Sequence, residues 1–177
     1  MKKIISLITL FMCVCSIYAQ SFKINQNGNF VSDENKSFIV VEYADKTKQE
    51  LYNMVKQNIM VSYVNPDKVI SEDGISVISV NGHGTICKFK TGGITSYYKG
   101  FYTLSFQFKD GKIRINAPTI IMEGAMKNIA SWYAFKRLWD KDGKIKEEKQ
   151  EYYNYINENI QSLITTLIID KSVDEDW

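Results

Sequence analysis

The chain has 177 residues, a formal net charge of +2 and 45% hydrophobic residues. That length suits one domain with a core large enough to need no covalent staples. Only two prolines and an ordinary charged content exclude a linker or a disordered segment. The many tyrosines and phenylalanines suit an antiparallel sheet packed on helices.

Residues 1–19 read as a cleavable secretory signal. Lys2 and Lys3 give a positive start, and Ile4 to Val14 is an apolar run too short to span a bilayer. Ala19 then offers a small residue before a cut at Gln20. A lipoprotein signal fits poorly, because Met12 precedes Cys13 and Val14 precedes Cys15. Taking Lys2 and Lys3 from the 22 basic side chains leaves 20 against 20 acidic ones. The mature chain is then near neutral, and its charge balance names no partner. The same cut removes Cys13 and Cys15, so Cys87 has no internal disulfide partner. No second apolar stretch is long enough for a transmembrane helix. The expected destination is the periplasm or cell surface, reached through the inner membrane.

In chain order, residues 20–37 read as a polar leader lying loosely at the surface. Residues 38–169 read as a single α+β domain, and residues 170–177 as an acidic tail. Phe38 to Tyr43 is a strand. Thr47 and Glu50 form a capping box, and Leu51, Met54, Val55 and Ile59 continue at helical spacing up to about Tyr63. Lys68 to Ser71 is a short strand, and Asp73-Gly74 turns into Ile75 to Val80. Asn81-Gly82-His83-Gly84 reads as a break and Thr91-Gly92-Gly93 as a turn. Tyr97 to Lys109 is a long strand, turned by Asp110-Gly111 into Lys112 to Ala117.

That last hairpin has a self-consistent register. A two-residue loop pairs Phe108 with Ile113, Phe106 with Ile115 and Leu104 with Ala117, all apolar. Gln107 then faces Arg114 and Ser105 faces Asn116 on the other side. Ile129 to Trp139 is a short aromatic segment. A long helix runs from Ile145, with Tyr153, Ile156, Ile160, Leu163, Ile164, Leu167 and Ile168 as its apolar stripe. The expected architecture is an antiparallel sheet of five or six strands. A capped N-terminal helix and a long C-terminal helix would cover one face over Phe38, Val40, Leu104, Phe106, Phe108 and Ile113.

The order of motifs resembles a family of secreted Gram-negative bacterial proteins, domain of unknown function 4468, described as having a TATA-binding-protein-like (TBP-like) fold. The likeness lies in Phe38 to Tyr43, Thr47-Lys-Gln-Glu-Leu-Tyr52, Lys68-Val-Ile-Ser71 and Ile78-Ser-Val-Asn-Gly-His-Gly84. It continues in Tyr102 to Phe108 with Asp110-Gly-Lys-Ile-Arg114, and covers roughly residues 38–120. At the Gly-x-Gly position, where the family more often carries lysine, this chain has His83. The resemblance implies a fold and export, and no mechanism; a fold name does not import DNA binding.

No residue constellation reads as catalytic. His83 is the sole histidine, and a dyad with Cys87 lacks an oxyanion donor and a third orienting group. Cys87 reads as a core thiol. The glycine runs lack the spacing of a phosphate loop. Glu72 with Asp73, and Asp140 with Asp142, are the close carboxylate pairs a secreted hydrolase would draw on, yet each flanks a glycine and reads as turn chemistry. No cofactor or metal is expected.

The outer sheet face remains. Tyr97, Lys99, Phe101, Lys112 and Arg114 point outward, with Lys88 and Lys90 joining them. Between Cys87 and Ala117 the six basic residues stand against Asp110 alone. Such a face could hold a polyanion, a polysaccharide or a protein partner; as a solvated surface, its lysines would keep the sheet soluble. The acidic tail could also fold back onto it, or onto a second copy. The expected function is a non-catalytic binding or assembly module with an unknown protein or glycan partner. Nucleic acid is disfavoured, and self-association stays open.

Overall fold

The computed structural model describes residues 21–91, 93–123, 129–130 and 135–170. The signal segment and the tail beyond Asp170 lie outside the described residues. Two strands, β1 (Phe22–Ile24) and β2 (Phe30–Ser32), form a small antiparallel hairpin. A six-stranded antiparallel sheet comes next, built from β3 (Phe38–Glu42), β4 (Ile70–Asp73), β5 (Val77–Thr91), β6 (Ile94–Lys109), β7 (Lys112–Met122) and β8 (Ile129–Ala130). Its order is β3-β7-β6-β5-β4, with β8 paired to the far end of β7. The helices are α1 (Lys48–Ser62), a short turn α2 (Pro66–Val69) and α3 (Gln150–Ile168).

Local chemistry accounts for most of these elements. Thr47 Oγ1 accepts from the Glu50 amide, and the Glu50 carboxylate accepts from the Thr47 amide at 2.7 Å, closing the capping box that starts α1. The helix ends at Tyr63, before Asn65-Pro66. On α3, Ile156, Ile160, Ile164, Leu167 and Ile168 of the expected stripe are buried, and Tyr153 and Leu163 are partly so. Both helices pack on the sheet face formed by Ile39, Val41, Ile78, Val80, Leu104, Phe106, Phe108, Ile113 and Ile115. The Asp110-Gly111 turn, with Gly111 at φ 74°, sets the expected register: Phe108 opposite Ile113 and Phe106 opposite Ile115.

The structure starts α3 at Gln150 rather than Ile145, which bridges to Trp139 instead, and corrects the sequence reading in five further places. Residues 20–37 are not a loose leader: Phe22, Ile24 and Phe30 are buried, the Ile24 amide donates to Asn157 of α3 at 3.1 Å, and Phe30 meets Phe135 edge-on. The β3 residues that enter the core are Ile39 and Val41, whereas Phe38 and Val40 lie on the outer face. Pairing with β7 decides this, since Val41 faces Ile113 and Val40 faces Arg114. Leu104 does not pair with Ala117, because the β6–β7 register slips between Thr103 and Ser105. Pro118 has no amide to donate, and the Ala117 amide turns to Ser37 instead. Residues 81–84 are no break but continuous strand within β5. The short strand starts at Ile70 rather than Lys68, because Pro66 opens a helical turn.

Gly82 and Gly84 therefore have different reasons from the ones a turn would give. A Cβ on Gly82 would sit 2.2 Å from the Tyr102 ring, so the glycine is where that ring packs. Tyr102 is held there by Tyr63, hydroxyl to hydroxyl at 2.9 Å. A Cβ on Gly84 would meet nothing within 4 Å.

Candidate functional site

With α1 and α3 on one face, the other face of the six-stranded sheet is left uncovered by any described element. Alternation puts Gln107, Ser105, Thr103, Phe101, Lys99 and Tyr97 of β6 on that outer face, beside Lys112, Arg114, Asn116 and Ile121 of β7. Here the sequence-derived candidates separate into two groups.

Lys112 and Arg114 lie at one end, in an open depression of about 810 Å³. Its apolar surface comes from Phe38, Val40, Val77 and Phe108, and its cations are Lys48, Lys109, Lys112 and Arg114. The Arg114 guanidinium lies 4.1 Å from the centre of the Phe38 ring, and its Nε donates to Asn116. These two contacts hold a long side chain in one place over the strands. Lys48 Nζ donates to Ser76 at 2.8 Å. Among the described residues, no carboxylate forms an ion pair with any of the four cations. Asp110 accepts from the Lys48 backbone amide at 2.7 Å, so its charge is turned to fixing the start of α1.

Tyr97, Lys99 and Phe101 lie at the other end. Six residues of strand separate Phe101 from Gln107, roughly 20 Å. Between the ends the face is polar, with Thr103 donating to Asn81 and Asn116 to Ser105. Tyr97 is 64% exposed, and Phe101 packs against the His83 ring with centroids 4.8 Å apart. His83 in turn reaches Glu123 at 2.9 Å. Lys88 leans over the Tyr155 ring of α3, 4.9 Å from its centre, and so leaves the group. The Lys90 side chain lies outside the described residues.

Sequence reasoning missed Phe38, Val40 and Lys48 as neighbours of Arg114, whereas Gln107 was read opposite Arg114 and lies there. The three missed residues result from strand order and from the turn that docks α1 beside Asp110; the strand order, β3 next to β7, has no short-range signal.

The catalytic alternatives lose their geometry. Four residues apart in an unbroken strand, His83 and Cys87 would share a face. The β5 register slips between Thr85 and Cys87, so Cys87 enters the core while His83 stays outside. Burial pushes the Cys87 thiol up to about 11, against a weaker opposing contact with Tyr152. Glu72 accepts from Tyr52 at 2.8 Å and from Lys56. Desolvation would raise its carboxyl, but those two donors outweigh it and hold it below the ordinary value, the wrong direction for a general acid. Asp140 accepts from the Asp142 and Lys144 amides and closes its own turn. Among the described residues no cluster of His, Cys, Asp or Glu is placed to hold a metal, and no helix is long and apolar enough to cross a membrane.

The raised thiol has a measurable consequence. A folded-state value above the unfolded one gives stability that is complete below about pH 9 and is lost as pH rises towards 11. We expect unfolding free energy to fall across that window, by on the order of 2 kcal/mol from Cys87, and Cys87→Ala to remove that part of the fall. Burial also raises the Tyr43, Tyr63 and Tyr152 hydroxyls, so a slope above about pH 10 should persist. Alkylation by iodoacetamide at pH 8 should be far slower in native than in urea-unfolded protein; equal rates would place the thiol at the surface.

Two solved structures are similar to this chain in fold. One is a DUF4468 family protein from Bacteroides ovatus ATCC 8483, with TM-score 0.58 at 9% identity over 82% of this chain and 90% of that one. The other is a TBP-like protein from Parabacteroides distasonis ATCC 8503, with TM-score 0.55 at 14% identity over 73% of this chain and 87% of that one. The chain has the TBP-like fold. The likeness first read from residues 38–120 thus extends in three dimensions over most of the chain. No protein-family model and no curated protein matches the sequence. At these identities the TBP-like fold is what is shared, and neither neighbour indicates a catalytic family.

Proposed function

We propose that this chain is a non-catalytic binding module, exported to the periplasm or cell surface, that takes an acidic segment of a partner protein on its outer sheet face. One observation carries the reading: Lys48, Lys109, Lys112 and Arg114 surround the apolar surface of Phe38 and Val40, with no carboxylate of the described residues paired to them. Cations alone would suit any polyanion. Cations around an apolar floor suit a ligand with both carboxylates and an apolar side chain, because the floor favours burial of a large apolar group more than of a hydroxyl-rich sugar polymer. Export is supported by the charged start, apolar run and small residue of positions 1–19.

The probe is a fluorescein-labelled peptide of glutamates with one tryptophan, monitored by anisotropy. Replacing both Lys112 and Arg114 by Ala should weaken its binding about tenfold, the scale of two partly exposed ion pairs. Unchanged affinity would remove this face from the reading. Tight binding of a heparin fragment in place of the peptide would move it to the polysaccharide alternative.

A further inference from the structure

The described chain stops close to the depression. Tyr43 Oη donates to the Ile168 carbonyl at 2.6 Å, and Asn58 Nδ2 donates to the Leu167 and Ile169 carbonyls at 3.0 and 2.8 Å. These bonds pin the end of α3. Asp170 then pairs with Lys46 at 2.7 Å. Lys46 belongs to the turn that closes the end of the sheet, since its carbonyl accepts from the Gly111 amide and the Gly111 carbonyl accepts from Tyr43. Asp110 and Lys112, on either side of Gly111, line the depression, and Lys48 is two residues beyond Lys46. The described chain therefore ends against the same turn that carries Asp110 and Lys112 of the basic rim.

Beyond Asp170 the chain continues as Lys171-Ser-Val-Asp-Glu-Asp-Trp177. Seven residues reach at most about 25 Å, enough to round the Gly111 turn and lie along the depression. The segment bears three carboxylates in a row and one large aromatic, the chemistry that the four cations and the apolar floor would select. A tether this short also holds it at an effective concentration on the order of millimolar or above.

We propose that the C-terminal segment Asp174-Glu175-Asp176-Trp177 docks on the depression of its own chain, with its carboxylates towards Lys48, Lys109, Lys112 and Arg114 and Trp177 on the Phe38–Val40 floor. An external acidic segment must displace it, so the tail sets the affinity at which the module responds. This inference rests on the binding reading above for its regulatory meaning, but the contact itself can be tested alone.

In ¹⁵N-labelled full-length protein, the Trp177 indole N–H resonance is assigned by its loss in Trp177→Phe. It should shift when Lys112 and Arg114 are both replaced by Ala, and again when salt is raised to about 1 M, where exposed charges are screened within about 3 Å. A Trp177 resonance indifferent to both changes overturns the proposal. In parallel, the variant Asp174→Asn, Glu175→Gln, Asp176→Asn should bind the labelled peptide about tenfold more tightly than wild type. If peptide binding is equal in the two and still needs Arg114, the tail proposal falls and the site stands. If the peptide binds neither but the indole shifts, the docked tail stands and the external acidic ligand falls.

Discussion

Replacing Phe22 by Ala should lower the unfolding free energy by about 3–5 kcal/mol, as for a fully buried aromatic elsewhere. Phe22 is 1% exposed, and with Ile24 and Phe30 it joins the same core cluster as α3 and the sheet. Its strand is anchored twice, by the Asn157 side chain at the Ile24 amide and by the Lys23–Asp33 pair at 2.7 Å. The exposed ion pair adds at most about 1 kcal/mol, so burial is the larger effect. Urea unfolding monitored by tyrosine fluorescence measures it. A loss below about 0.5 kcal/mol would return residues 20–37 to the loose leader that their polar composition suggests. Lys23→Ala serves as the control on the same strand and should be nearly silent.

That hairpin also shows where the sequence was legible and where it was not. The pattern Phe22-Lys23-Ile24 has the period of a strand, and Asn27-Gly28 has the residues of a turn; Gly28 indeed adopts φ 78°. The signal was present, but three-residue strands among asparagines and glutamine resemble an unstructured lead. Where a turn dipeptide sits between long alternating strands, as at Asp110-Gly111, the register could be read residue by residue. It failed only towards Pro118, where a bulge costs one residue of pairing. Four consecutive apolar residues, Phe38 to Val41, carry no alternation, so their inner and outer faces were not decidable without the β3–β7 pairing. The candidate site inherits that ambiguity. Arg114 and Lys112 could be placed on the outer face from their own hairpin, whereas Phe38, Val40 and Lys48 arrive from elsewhere in the chain. Asp170 beside Lys46 is likewise a product of where α3 ends, and no local pattern encodes that.

The glycines make the strongest separate test of the long strands. Gly100 of β6 is buried, and a Cβ there would lie 2.5 Å from the Ile121 carbonyl oxygen and 3.0 Å from Ile86 Cγ1. The first neighbour is backbone, in the strand paired beside it, and cannot rotate away. Gly100→Val should therefore force β6 and β7 apart where β8 docks, costing about 3 kcal/mol or more, at or beyond the upper end for overpacking. Gly82→Ala meets the Tyr102 ring first, a side chain rather than backbone, and so should cost less if that ring can yield its bond to Tyr63. Gly84→Ala meets nothing, and a side chain in a strand interior should be neutral or add about 0.5 kcal/mol. Denaturation midpoints of the three variants should fall in the order Gly84, Gly82, Gly100. Equal stability of the first and last would mean that β6 and β7 are not paired at Gly100 as described, and the outer face at Phe101 and Ile121 would have to be redrawn with them.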